Sequence, residues 1–214
     1  MVVLLFVLRA PGYPMTSDQL VSALEKAGAD ETPLLKSNPV VIEEMQPDFL
    51  AGASYLRVTV RARHHPHLLQ YVAAPNGTIY RLKLGAAELE RMRADLKLEL
   101  KSSDMALHYV QWLLDVTEGP AFWLVSSLKD VPFQPVAAGE DDLAKEIDEA
   151  KKKIAPLVAP PTATAQSDGF SVTQQAVRGS DLVRYDVKVS RQGAYDVKTM
   201  MLASELPVVY VLEE

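Results

Sequence analysis

The stretch from Asp104 to Ser127, DMALHYVQWLLDVTEGPAFWLVSS, constrains the fold more than any other. It carries both tryptophans of the chain and the sharpest junction between a helix and a strand. Asp104 is placed to cap a helix start, where a carboxylate accepts the unpaired amide hydrogens of the first turn. Leu107, Val110, Leu113 and Leu114 follow at helical spacing, flanked by Ala106 and Tyr109, and form a broad apolar stripe. Gly119-Pro120 ends the helix: glycine accepts the left-handed conformation past the last turn, and proline cannot continue it. Phe122-Trp123-Leu124-Val125 is too apolar on both faces for an exposed strand, so a central strand covered on both sides is expected. Aromatic residues buried this way cost about 3–5 kcal/mol each when cut to alanine. The stretch therefore reads as the hub of a core, and packing explains nearly all of it.

Length and composition bound the rest. The 214 residues admit one large domain or two lobes, and 48% hydrophobic with 23% charged content is ordinary for a globular protein. A formal charge of −6 argues against non-specific nucleic-acid binding, which draws on positive charge to release counterions from phosphate. The chain has no cysteine, which excludes disulfides, thiolate catalysis, Cys-ligated zinc and iron–sulfur clusters. A reducing compartment fits, and a cytoplasmic location is the expectation. Residues 1–8 are as apolar as a signal-peptide core, but no basic residue precedes them and Arg9 ends the run. Eight residues are too few to span a bilayer as a helix, so a buried first strand, and no membrane attachment, is expected.

Along the chain, Thr16 and Gln19 have the spacing of a capping box opening a helix that Gly28 closes. Strands follow at 39–45 and 55–63, and Pro75-Asn76-Gly77 turns a hairpin between 68–74 and 78–84. Residues 86–100 read as a helix. Residues 140–154 read as another, acidic at its start and with Lys151, Lys152 and Lys153 at its end, matching the helix dipole. Residues 156–169 are rich in Pro, Ala and Thr and read as an extended or mobile linker. A meander of strands at 170–177, 182–190 and 195–203 closes the chain, and 207–212 reads as a last edge strand.

The expected fold is α+β, with antiparallel sheet packed against about four helices. Two lobes are expected, 1–135 with the hub and 136–214 with the meander, or one continuous domain of both. The order helix-then-strands recurs after 16–28 and after 140–154, a pattern of two related helix-plus-meander halves without sequence identity between them. In Asn76 to Leu82, the hub and the closing meander, the chain resembles bacterial α+β modules; no family name attaches and no functional residue is carried over.

Three constellations hold candidate chemistry. On the strand 55–63, Arg57, Arg61 and Arg63 share one side with Tyr55 and Thr59, neighbouring positions being about 6.6 Å apart. Such a strip suits an acidic protein surface, and Arg81 and Lys83 widen it if they face the same way. Its plain alternative is a solvated sheet face. His64, His65 and His67 form the one histidine cluster, a candidate metal site, but neighbours on a strand point to opposite faces and Pro66 distorts the run. His108 with Asp115 or Glu118 is the candidate base and carboxylate of an enzyme. Asp115 lies about 10 Å along the axis from His108, so a third group must link them.

No phosphate loop, nucleophile elbow or dinucleotide loop is present, and no cofactor is called for. The reading favours a non-enzymatic protein-binding module (an adaptor, assembly subunit or inhibitor-like partner) that uses a sheet face or edge strand. Its partner is another protein, and a homo-oligomer is one arrangement it admits. The alternative is a hydrolase or small-ligand enzyme with a pocket between sheet and hub helix.

Overall fold

A computed structural model describes residues 15–50, 52–63, 66–82, 85–119 and 121–209. The expected first strand at 1–8 lies outside them. The protein is α+β, with five α-helices and two antiparallel sheets among the described residues. The chain divides into two compact units, Met1–Leu98 and Glu99–Glu214. The hub thus falls in the second unit, because its helix packs on strands that come later in the chain.

In the first unit, α1 (Ser17–Lys26) opens on the Thr16–Gln19 capping box, with both reciprocal bonds present. Next come α2 (Thr32–Ser37), β1 (Val40–Met45), β2 (Ser54–Arg61), β3 (Pro66–Ala73), β4 (Ile79–Arg81) and α3 (Ala86–Leu96). The four strands pair in sequence order. Leu56, Val58 and Val60 of β2, with Leu69, Tyr71 and Ala73 of β3, meet Leu20, Leu24 and Leu35 from α1 and α2 in one core. Each buried leucine there contributes about 2–5 kcal/mol against alanine. Burial, then the Glu31 carboxylate, pushes the Tyr71 phenol well above its ordinary range. The other face is covered as well: Tyr55, Gln70, Val72 and Tyr80 are buried. At Tyr80 the cover is α3, whose Asp95 accepts the phenol hydrogen at 3.0 Å while Arg91 stacks over the ring.

In the second unit, α4 (Ser103–Thr117) is the hub helix. Its cap is Ser102, whose Oγ accepts from the Met105 N–H at 3.1 Å, and Asp104 sits inside the first turn. Tyr109, Val110, Trp112, Leu113, Leu114 and Val116 are buried. β5 (Phe122–Val125) and α5 (Asp141–Ile154) follow, then β6 (Thr162–Ala165), β7 (Gly169–Arg178), β8 (Asp181–Ser190) and β9 (Tyr195–Ala203).

Two expectations change here. β5 is not central: among the described strands it pairs only with β7, and Trp123 and Leu124 are half-buried. The supposed linker holds β6, because β7 offers a row of backbone groups that Thr162 to Ala165 can satisfy despite their small side chains. β5 and β6 lie end to end along one edge of β7, on Gln175–Arg178 and Phe170–Thr173. Gln174 fills the gap between them. It is fully buried, donates to the Val125 carbonyl at 3.0 Å, and accepts from Gln111 of α4 at 2.9 Å. Gln175 works similarly, with its amide accepting from Ala159 N–H and donating to Leu157 O. Buried polar groups persist only when bonded, and each of these two side chains both donates and accepts. Residues 207–209 form a bridge rather than a strand, with Val208 opposite Phe133; 210–212 lie outside the described residues.

Candidate functional site

The arginine strip is less uniform than alternation suggests. Arg57 is half-buried in the middle of the sheet, opposite Glu43 on one side and Gln70 on the other. Arg61 is exposed where β2 ends, and Arg63 is exposed beyond it. Arg81 shares the face of Leu56 and Tyr71, the opposite side, and pairs with Glu31 at 3.2 Å. It therefore does not widen the strip. Lys83, His64 and His65 lie outside the described residues; His67 is exposed on β3. No group of three or more metal-ligating side chains occurs among the described residues.

His108 is exposed on α4, and Asp115 is half-buried. Glu118, at the C-terminal cap of the helix, is 3.7 Å from the Arg178 guanidinium. Burial, and then the Glu118 charge, pushes the Tyr185 phenol up to about 12. In the first unit, a shallow hollow beside α1 and α2 has Glu25 and Lys36 in its wall, joined as an ion pair. Their charges are thereby satisfied by each other.

β9 is a long open edge. It pairs with β8 and with no other described strand. The β8–β9 turn fixes its orientation. Gly193 N–H donates to Ser190 O at 2.9 Å and Ser190 N–H to Ala194 O at 2.7 Å. That is a three-residue turn closed by a glycine bulge, and Gly193 takes the required left-handed φ of 77°. Bonded and non-bonded pairs then alternate along the ladder. The backbone groups of Asp196 and Lys198 point at β8, and those of Val197 and Thr199 point away from it. A second bulge, where Leu182 faces Ala203 but Val183 faces Met201, interrupts the ladder at Leu202.

Side chains on β9 divide in the same way. Asp196, Lys198 and Met200 share the wet face with Lys188, Asp186 and Arg184 of β8. Val197, Thr199 and Met201 share the face of Val187, Tyr185 and Val183, which are buried. On β9 that cover fails: Val197 is half-buried, Thr199 is exposed and Met201 is 58% exposed, while Met200 on the wet face is 43% exposed. The meander pattern places a strand at 195–203, and nothing in those residues themselves tells whether it has a second neighbour.

The chain was compared with protein-family models, curated proteins and solved structures, and none of the three matched.

Proposed function

We propose that this chain is a non-enzymatic protein-binding module that takes an extended segment of its partner along the outer edge of β9. What carries the reading is that edge: outward backbone groups at Val197 and Thr199 beside exposed Met200 and Met201. An added strand satisfies such groups with main-chain bonds, while the flanking side chains supply selectivity. Natural edges of this length are usually blunted, and the bulge at Leu202 blunts only the far end. Arg61 and Arg63 offer a second, separate surface for an acidic partner. A chain without cysteine suits work in a reducing compartment such as the cytoplasm. An enzyme built on His108 draws no support from the exposed position of that side chain.

The test is a quantitative comparison of what immobilised wild-type chain and Val197→Pro retain from host extract. Proline removes an outward N–H and leaves the β8 ladder intact, so it is tolerated at an edge. Proteins held by β9 are expected to fall by roughly tenfold in the variant, the equivalent of losing one or two main-chain bonds. Identical retention by both chains overturns the reading. Charge reversal at Arg57, Arg61 and Arg63 examines the arginine strip in the same way.

A further inference from the structure

We infer that the segment β9 receives is β9 of a second copy, paired antiparallel about a two-fold axis through Val197. This rests on the protein-binding reading of the same edge and names its partner.

Three observations select the partner and the register. The first is backbone parity. With the axis at Val197, the outward N–H and C=O of one copy meet those of the other, giving a reciprocal bonded pair at the axis. A self-complementary patch of this kind is what a two-fold interface requires.

The second is charge. In this register Asp196 lies opposite Lys198 of the second copy, and the two-fold repeats the contact. Within each chain Asp196 already faces Lys188, and Lys198 faces Asp186. One row across the joined sheet then reads Lys188, Asp196, Lys198 of the second copy, Asp186 of the second copy. Sign alternates at every step, and the mirror row does the same. The two Asp196–Lys198 contacts across the axis are non-bonded pairs, where opposing side chains approach most closely, so like charges there repel and opposite charges stabilise. A lysine on an edge strand ordinarily discourages pairing. Opposite Asp196 it does the reverse, and only for a strand in this register. Moving the axis two residues to Thr199 places Lys198 against Met200 and Asp196 against Leu202, and the charge match is lost.

The third is the bulge. Pairing about Val197 uses 194–200, all before the interruption at Leu202, whereas pairing about Thr199 runs through it.

Sedimentation of the purified full chain tests the inference over ~1–200 µM, the range in which a short strand-to-strand contact associates. Wild type is expected to move from 23.5 kDa toward twice that mass. Asp196→Lys alone sets lysine against lysine across the axis, and Lys198→Asp alone sets aspartate against aspartate. Each is expected to self-associate roughly tenfold more weakly. Mixed one to one, the two variants place every lysine opposite an aspartate, so the mixture is expected to regain the wild-type association. Any strain a substitution causes inside its own chain is common to both settings and cancels. Val197→Pro, with its circular dichroism unchanged, is expected to be monomeric.

A wild-type chain that stays at the single-chain mass overturns the second copy as partner, and so does a mixture no better than its components. Neither result bears on the edge as a binding site for another protein, which the Val197→Pro retention experiment decides separately.

Discussion

β7 and β9 belong to one sheet, lie on either side of β8, and have nearly the same length, ten and nine residues. β7 has neighbours on both edges and is buried almost throughout; β9 has one neighbour among the described strands and is exposed through its middle. The difference does not lie in polarity. β7 carries Thr173, Gln174 and Gln175, and β9 carries two methionines and a leucine. Position in the sheet decides: polar side chains at the centre are buried and bonded, and apolar ones at the edge are left in water.

The largest effect should come from the centre. A Cβ at Gly169 would meet Val189 O at 2.1 Å and Ser190 Cα at 2.8 Å, both of them backbone, so neither can move aside. Gly169→Ala is expected to cost about 3 kcal/mol in denaturant unfolding. Gln174→Ala comes next, at about 2 kcal/mol, because it removes the side-chain bonds to the Val125 carbonyl and the Gln111 amide from a buried site. If either change is neutral, the centre is more tolerant than the contrast with β9 requires.

The edge of the other sheet sharpens the point. Among the described strands β4 also pairs on one side only, yet α3 locks its Tyr80 through Asp95. Tyr80→Phe is expected to cost about 1 kcal/mol at neutral pH. Burial, and then the bond to Asp95, raises this phenol from 10.0 to about 12. Its stabilising contribution is therefore whole below pH 10 and is lost as pH rises through about 12. The gap between wild type and Tyr80→Phe should close over that interval when thermal unfolding is followed against pH. Smallest of all, Met201→Ser on β9 should change stability by less than about 0.5 kcal/mol. A cost as large as that of Gln174→Ala would mean β9 is covered after all.

Much of the fold was legible because its signals are local. The capping box at Thr16, the Asn76-Gly77 turn and the alternation of Val183, Tyr185, Val187 and Val189 each depend on residues adjacent in sequence. What failed depended on partners far away. β6 is a strand because β7 pairs with it, not because Thr162-Ala163-Thr164-Ala165 favours one. Phe122 to Val125 looked doubly covered, and only the order of the sheet shows it to be paired on one side. Asp104 and Ser102 are both competent caps, and the hydroxyl two residues earlier took the position. Arg57 and Arg61 share one side of β2 and Arg63 lies past its end, and the pairing that half-buries Arg57 comes from Glu43 and Gln70 on separate strands. The openness of β9 was invisible for the same reason: a strand's own residues do not say whether it has a second neighbour.

The hydroxyl of Tyr109 donates to Gly193 O at 2.9 Å, so the hub helix holds the turn from which β9 departs. Past its far end, Leu206 N–H donates to Ser180 O at 2.9 Å and Val208 is fully buried. A strand moored at both ends is already straight before anything arrives. An incoming chain then bears the entropic cost of its own ordering and none of the host's, and exchange of whole strands between molecules is hindered because neither mooring lets go cheaply.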